Sequence, residues 1–308
     1  MDSVGYALAR QVEPYRWQRV MGIPNNDSFT TAEIIGDKAY VLSPNYTQVY
    51  DFANARWDQE PPMPAERKRY NFATCLVGSK IYVIGGLLSS GVYGAVRYVD
   101  IYDTVQKKWT TGPDSPPVTP ENLGLHQAAC ASVNNSVYLF GGRWSGSSGN
   151  SDAVYALDLT SGTWSQKGTM PITLANMGIA QYDGQIYLFG GFLSYGSNGR
   201  NDSNNIYLYN PANNSWTTKR TMNSARTGCR AVVFNDKVYI LGGEGTVLVE
   251  EYAPSTNALS IKQGPTEIFT NFGAVKYGEA IYVFKGGYVS SYNSAGTSLD
   301  TLMAWLAT

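Results

Sequence analysis

The sequence predicts an all-β fold that is built from six repeated units, each made of four short strands. Three observations carry this prediction. An apolar strand with a tyrosine ends in a glycine pair and recurs along the chain, a second aromatic landmark follows the copies, and a run of small residues precedes them. A period of about 50 residues is typical of repeat architectures.

The glycine-pair strand is seen most clearly at 80–86, where the sequence reads KIYVIGG. A glycine pair fits a strand end at which the backbone needs positive φ or passes close to another segment. The copy at 280–287 carries one additional residue, and the copy at 38–45 lacks the glycines. The tyrosines of the six copies are Tyr40, Tyr82, Tyr138, Tyr187, Tyr239 and Tyr282.

The second landmark is a tyrosine followed seven residues later by a tryptophan, as in Tyr50 and Trp57. Such a tryptophan on an outer strand would fill the wedge between neighbouring sheets. Leu157 replaces the tyrosine in the third unit, and leucines replace the tryptophan in the last two. Small residues at 72–77 and 128–133 predict an innermost strand that crowds against its neighbours around one axis.

Together these landmarks resemble the Kelch repeat over nearly the whole chain. The resemblance implies a six-bladed β-propeller with four-stranded antiparallel blades. It predicts a single domain over 1–308. The repeats are predicted at 28–60, 69–112, 125–167, 174–219, 226–262 and 270–293, with 14–20 as a further strand.

Two segments compete for the outer strand of the last blade, where a propeller must close its ring. Trp17 is followed seven residues later by Pro24, a spacing that recurs after other outer-strand tryptophans. The alternative segment continues from Tyr292 and places Leu299 in the tryptophan position. We expect the N-terminal strand to close the ring, because its tryptophan fits the landmark that the leucine misses.

The C-terminal segment 298–308 predicts a short helix. Its apolar residues recur with the spacing of one helical face, and Ser298 precedes them as an N-cap. These residues are Leu299, Leu302, Met303 and Leu306.

Composition narrows the class of protein. The chain has 308 residues, of which 43% are hydrophobic and 15% charged, and its net charge is −1. The absence of a Lys/Arg run argues against nucleic acid as the main partner, and no apolar stretch is long enough to span a bilayer.

Residues 1–13 lack the apolar core of a signal peptide, and three cysteines without a pairing framework fit a reducing compartment. We therefore expect a cytoplasmic monomer that buries Cys75, Cys130 and Cys229.

Counting residues excludes several kinds of chemistry. His126 is the only histidine, so a metal site with several histidines is impossible, and no cysteine lies near another in the sequence. Neither a GxSxG motif nor a phosphate-binding loop motif occurs. We therefore expect neither a cofactor nor a metal site.

The remaining candidate site is the mouth of the central channel. Four side-chain amides stand eleven residues ahead of the tyrosine of their repeats, at Asn71, Gln127, Asn176 and Asn271. They either satisfy backbone groups and waters at the strand starts or form a polar ligand site. In the second interpretation aromatic and arginine side chains, a composition favoured at binding hot spots, would flank them. These flanking residues are Arg69, Tyr70, Arg143, Trp144 and Arg226.

Three further residues are candidates for catalysis. Glu33 and Arg230 are the charged exceptions among the small residues that are predicted to face the channel. They form either a structural pair or, since some Kelch-like proteins epimerise sugars with such residues, an acid/base pair. His126 is either a satisfied structural histidine or a general base.

The predicted function is that of a soluble Kelch propeller, which binds a protein or a small polar ligand through its loop face and channel mouth. The alternative is a metal-independent enzyme, an isomerase, epimerase or cyclase, that uses the channel pocket. Fold alone does not choose between these functions, so catalysis is left open.

Overall fold

The computed structural model describes residues 15–21, 24, 27, 29–88, 94–117, 123–144, 149–196, 199–262, 264, 270–285 and 301–307. Short runs of β-branched and aromatic residues between turn residues form strands throughout this part of the chain. The one helical element among these residues is a 3-10 turn, Ala65–Arg67. No helix in the described segments is long and apolar enough to cross a bilayer.

The first half of the chain forms an N-terminal strand and three four-stranded antiparallel sheets. The first strand is β1 (Tyr15–Met21). Sheet 1 contains β2 (Thr31–Ile35), β3 (Lys38–Leu42), β4 (Thr47–Asp51) and β5 (Arg56–Glu60). The next segment contains β6 (Arg69–Tyr70), β7 (Ala73–Val77), β8 (Lys80–Ile84), β9 (Leu87–Leu88), β10 (Val99–Asp103) and β11 (Lys108–Thr111). Of these, β7, β8, β10 and β11 form sheet 2, while β6 pairs with β9. Sheet 3 contains β12 (Ala129–Val133), β13 (Ser136–Phe140), β14 (Ala153–Asp158) and β15 (Thr163–Thr169).

Two more sheets of the same kind follow in sequence. Sheet 4 and its loop contain β16 (Gly178–Tyr182), β17 (Gln185–Phe189), β18 (Phe192–Gly196), β19 (Gly199–Asp202), β20 (Asn205–Asn210) and β21 (Ser215–Thr221). The strands β18 and β19 form a separate hairpin, and the other four form the sheet. Sheet 5 contains β22 (Arg230–Phe234), β23 (Lys237–Leu241), β24 (Val249–Ala253) and β25 (Ala258–Lys262).

A further four-stranded sheet, the mixed sheet, draws on both ends of the chain. It contains β26 (Phe272–Tyr277), β27 (Ala280–Lys285) and β28 (Thr301–Ala307), and β1 pairs with β28 as its outermost strand. Trp17 stands opposite Trp305 in this ladder, as Trp57 stands opposite Tyr50 in sheet 1. The N-terminal strand therefore takes the outer position that its tryptophan predicted.

The predicted C-terminal helix is wrong, because Thr301–Ala307 is the strand β28. This strand lies between β27 and β1 and pairs with both. A strand that is paired on both sides and covered on both faces has a nearly continuous run of apolar residues. Such a run contains the i, i+3, i+4 spacing of a helix by chance. Tyr292 and Leu299, the landmarks of the competing prediction, lie outside the described residues.

The innermost strands of the sheets, β2, β7, β12, β16, β22 and β26, lie side by side in a closed ring. Their small residues are required by this crowding. A Cβ added at Gly273 would lie 2.6 Å from the backbone nitrogen of Ala32, and one at Gly178 would lie 2.9 Å from Sγ of Cys229. The predicted all-β propeller class is therefore confirmed.

The hydrophobic core lies between neighbouring sheets rather than within one layer. Each pair of successive sheets shares a buried apolar cluster, and another cluster joins the mixed sheet to sheet 1. The outer-strand tryptophans bridge the same wedges. Nε1 of Trp109 donates to the carbonyl of Pro61 at 2.8 Å, and Nε1 of Trp164 donates to the carbonyl of Pro113 at 2.9 Å. All three cysteines are buried and free.

Candidate functional site

The ring of inner strands encloses a cavity of about 380 Å³ along its axis. Every inner strand contributes to its wall, but the mixed sheet adds only Ala274. Hydroxyl and amide groups deep in the strands, such as Thr31, Thr74, Ser132 and Gln181, face this space. A cavity of this size is within the range of small-molecule sites.

The four predicted amides occupy one backbone position, which the structure holds in the left-handed region. The φ angles are +56° at Asn71, +55° at Gln127 and +53° at both Asn176 and Asn271. In sheet 5 the same position is Gly228, with a φ of +69°. Asparagine and glycine tolerate this conformation better than most residues. The positive φ at this position thus explains much of the preference for asparagine and glycine there.

The backbone at these positions links each sheet to the previous one. The amide nitrogen of Gln127 donates to the carbonyl of Asn71 at 2.7 Å, and that of Asn176 donates to Gln127 at 2.7 Å. The amide nitrogen of Gly228 continues the series to the carbonyl of Asn176 at 2.8 Å. The repeat register therefore places these residues, one from each sheet, around a single end of the channel.

Three of the four amide residues, Asn71, Gln127 and Asn176, also line the cavity. Asn271 is exposed and is not part of the cavity wall, although its carbonyl accepts a hydrogen bond from the backbone nitrogen of Thr30 at 3.0 Å. The amide residues thus have two separable roles. Their backbone groups link neighbouring sheets, and three of the four residues also form part of the cavity wall.

Replacing Asn71 with glycine is expected to change the free energy of unfolding by about 0.5 kcal/mol or less, because glycine adopts the required φ without strain. Asn71→Ala is expected to cost about 1 kcal/mol or more, since alanine is strained at this φ. Urea unfolding of the two variants measures the difference. Equal losses would mean that the amide side chain, not the backbone conformation, stabilises this position.

Glu33 and Arg230 both line the cavity, from sheets 1 and 5. No ion pair between them occurs among the described contacts, but their charges act on each other across the cavity. One guanidinium nitrogen of Arg230 donates to the carbonyl of Cys229 at 3.1 Å, and the guanidinium carbon lies 5.6 Å from the ring centroid of Phe272. Burial raises the pKa of Glu33 to about 7, against the opposing effects of a hydrogen bond with Thr74 and the charge of Arg230.

Two threonines beside Glu33 were missed by the sequence analysis, which treated the inner strands as uniformly small. Oγ1 of Thr31 lies 2.7 Å from Oγ1 of Thr74. Both face the cavity, and Thr74 also contacts the carboxyl group of Glu33. Their position in predicted inner strands was the available signal, since a hydroxyl there has few partners other than the channel.

His126 does not join Glu33 and Arg230, because it is not part of the cavity wall. Its backbone pairs with Arg143 through hydrogen bonds of 2.9 and 2.8 Å. Burial, together with the nearby charge of Arg143, lowers the pKa of His126 to about 4. The imidazole is therefore neutral at neutral pH and is a weak base there.

Arg69 and Arg226 are fully buried, and each binds an acidic residue in the third strand of the sheet that follows it in the sequence. Arg69 contacts Asp100 at 2.5 Å, and Arg226 pairs with Glu250. Both arginines also donate to backbone carbonyls, including that of Gly85 at 2.5 Å. These side chains are occupied within the protein and do not reach the cavity. Asp100 and Glu250 each stand two residues before the tyrosine of the third strand of their sheet. This shared position was the sequence signal that could have identified them as partners of the arginines.

The other three predicted flanking residues contact side chains near the loops that follow the glycine pairs; they are Tyr70, Arg143 and Trp144. Tyr70 packs against the cluster between sheets 1 and 2, and Trp144 against that between sheets 2 and 3. The guanidinium carbon of Arg143 lies 4.7 Å from the ring centroid of Phe192, in the loop of sheet 4. Among the described residues, no group of three or more His, Cys, Asp and Glu is arranged to hold a metal ion.

Comparisons with known proteins agree with this architecture. The family model described as KLHDC2/KLHL20/DRC7 Kelch-repeats domain matches residues 71–263. Kelch-like protein 23 of Homo sapiens is 28% identical over 276 residues, which cover 89% of this chain and 46% of that protein. Kelch-like protein 25 of Xenopus tropicalis is 26% identical over 235 residues, which cover 72% of this chain and 37% of that protein.

A fungal relative and a solved structure extend the likeness. Kelch-like protein terF of Aspergillus terreus is 25% identical over 234 residues, which cover 70% of this chain and 49% of that protein. The chain thus spans less than half the length of these curated relatives. The solved structure titled "Structure of YjhT" superposes with a TM-score of 0.75 at 13% identity, over 91% of this chain and 95% of that chain. At that identity the likeness concerns the fold alone.

Proposed function

This chain belongs to the Kelch-repeat family, and on that premise we propose that its central cavity binds a small polar molecule. The observation that carries the proposal is the wall of the cavity. Glu33 and Arg230 meet amides and hydroxyls there in a space of about 380 Å³. Polar groups that converge in an enclosed space fix the orientation of a ligand.

The cavity wall favours a polar ligand over an apolar one. Charged and hydrogen-bonding groups need partners when they are removed from bulk water. Arg230 makes one side-chain hydrogen bond, to a backbone carbonyl. Its other guanidinium donors, and the amides of Asn71, Gln127 and Asn176, can therefore serve a ligand with oxygen acceptors.

A thermal-shift screen of small polar metabolites tests this function. Ala274→Leu adds bulk between Glu33 and Arg230 and is expected to abolish the stabilisation that a hit gives the wild-type protein. Ala258→Leu, at an exposed strand position, is the matched control and is expected to keep it. Hits that stabilise both variants equally, or a screen that yields no hit, would contradict a channel site.

A second candidate function is the binding of a protein partner by the loop face, and the cross-linked loops favour it. Nδ2 of Asn150 donates to the carbonyls of Phe192 and Leu193 at 2.7 and 2.9 Å. Arg200 in the hairpin of sheet 4 pairs with Glu244 of sheet 5. These contacts hold the loops in one arrangement, which lowers the entropy cost of binding. Capture of a partner that Trp144→Ala abolishes would support this function.

Catalysis without a metal is favoured by one feature, the pKa of Glu33 near 7 in the wall of the cavity. A carboxyl group with this pKa can give and take a proton at neutral pH. An isomerase, epimerase or cyclase would lose turnover but keep ligand binding in Glu33→Gln. The cytoplasmic location and the monomeric state stay predictions from the sequence.

The way in which the ring closes is also a proposal, in which the mixed sheet acts as a sixth blade. Phe52 of sheet 1 stacks on Tyr277 of the mixed sheet with ring centroids 4.0 Å apart. Nε1 of Trp57 has no hydrogen-bond partner among the described groups. Pro61, which accepts from Trp109, stands four residues after Trp57, and Met21 of β1 stands at the same distance after Trp17. In this proposal the carbonyl of Met21 would come within reach of Trp57 in the closed ring.

A further inference from the structure

We infer that the ligand of the cavity is a small monocarboxylate, with its carboxylate held by Arg230 and its neutral polar groups directed towards Glu33. This inference rests on the proposed function and names the chemical class of the ligand. Three features of the cavity support it. Arg230 has no carboxylate partner, Arg230 and Glu33 lie at different heights along the strands, and few charged groups face the cavity.

Arg230 is a cation inside the protein whose charge has no adjacent anion. Its side-chain hydrogen bond goes to the carbonyl of Cys229, and no carboxylate of the described residues contacts it. This differs from Arg69 and Arg226, each of which has a carboxylate partner. Arg230 is half-buried in the cavity wall. A guanidinium that is partly removed from bulk water favours a paired anion, and its planar fork matches a carboxylate.

The two charged residues are separated by a space that a ligand can occupy. Arg230 stands nine residues before its repeat tyrosine and Glu33 stands seven before its own. A shift of two residues corresponds to about 7 Å along the strands. The inner strand of the mixed sheet lies between β2 and β22 and presents only Ala274 to the cavity. A molecule placed over Ala274 can thus reach both charged groups at once.

The charged groups in the cavity wall are complementary to a ligand with one negative charge. The titratable groups that face the cavity are Glu33, Arg230, Cys75 and Cys130. Burial raises the pKa of Cys130 well above its usual value, so this thiol remains neutral. One cation and one acid then accept a single anionic group, whereas a second anionic group would stand near Glu33 and be repelled. The hydroxyls of Thr31 and Thr74 beside Glu33 suit neutral hydroxyl or amide groups.

Glu33 links binding to pH. Its pKa of about 7 means that the carboxyl group is largely protonated at pH 6 and largely ionised at pH 8. The ionised form repels an anionic ligand and competes for Arg230, whereas the protonated form can donate a hydrogen bond to it. If the protonated form is the one that binds, the apparent affinity falls about tenfold between pH 6 and pH 8.

Isothermal titration of the full chain with sorbitol, gluconate and glucarate tests the assignment, since these six-carbon probes carry no, one and two carboxylates. Gluconate is expected to bind about tenfold or more tightly than either of the others, as charge-assisted hydrogen bonds allow. Arg230→Met is expected to remove this preference, and Arg56→Met, at an exposed ion pair, is expected to retain it. Glu33→Gln is expected to bind gluconate without the loss between pH 6 and pH 8.

The outcomes separate this inference from the function on which it rests. Equal binding of sorbitol and gluconate, or gluconate binding that Arg230→Met leaves unchanged, would overturn the monocarboxylate assignment while the channel remained a polar site. Gluconate binding that strengthens from pH 6 to pH 8 would also overturn it. Binding of none of the three probes by the wild-type protein would contradict both. If Arg230→Met fails to fold, Glu33→Gln and the pH series still decide.

Discussion

Replacing Arg226 with methionine is expected to lower the free energy of unfolding by about 3–5 kcal/mol, because it leaves the carboxylate of Glu250 buried without its cation. Both side chains of this pair have no exposed surface. Oε1 of Glu250 also accepts hydrogen bonds from the backbone and side chain of Asn223 at 2.7 and 2.8 Å. Those contacts do not supply the missing positive charge. Urea unfolding measures the loss.

Two comparisons show whether the loss comes from the unpaired charge. Arg56→Met breaks an ion pair whose side chains are 62% and 37% exposed, and it is expected to cost about 1 kcal/mol or less. Replacing both Arg226 and Glu250 with methionine is expected to recover part of the loss, since buried pairs often exchange for apolar residues at little cost. A stability of Arg226→Met that equals the wild type would mean that the pair is open to water.

Deleting residues 301–308 is expected to destabilise the protein more than deleting residues 1–21. The strand β28 lies between β27 and β1 and pairs with both, whereas β1 pairs only with β28 within the described part of the mixed sheet. Loss of β28 therefore also removes the neighbour of β1 and opens the wedge against sheet 1. Because a domain has a net stability of about 5–15 kcal/mol, we expect this deletion to remove most of it.

Melting temperatures of the two truncated proteins give the order. Deletion of 1–21 removes one outer strand and exposes the edge of β28, so a smaller decrease is expected. A helical C-terminal segment packed on the surface would give the opposite order. A larger loss on deleting 1–21 would therefore place the closing contact in the N-terminal strand alone.

The repeat register predicted where the amide residues lie better than it predicted why amides occur there. The shared distance from the repeat tyrosine predicted that Asn71, Gln127 and Asn176 come from different sheets and meet at one end of the channel. The reason for their identity was less visible, because asparagine is chosen both for hydrogen bonding and for positive φ. Gly228 at the same position was the clue, since glycine shares only the second property.

The prediction failed where tertiary neighbours decide the outcome. The apolar segment that includes Leu302 and Leu306 fits a helix or a buried strand, and the free edge of β27 selects the strand. Arg69 and Arg226 looked like ligand-binding residues because arginine is common in sites. Their buried acidic partners, from a strand some 24–31 residues later in the chain, are contacts that local sequence does not reveal.

A crystal structure of the protein soaked with gluconate tests whether the channel, between Glu33 and Arg230, binds a small polar molecule. We predict electron density over Ala274, with the gluconate carboxylate within hydrogen-bonding distance of the Arg230 guanidinium and its hydroxyls towards Glu33. Gluconate found only on the loop face, with the channel free of it, would contradict a binding site in the channel.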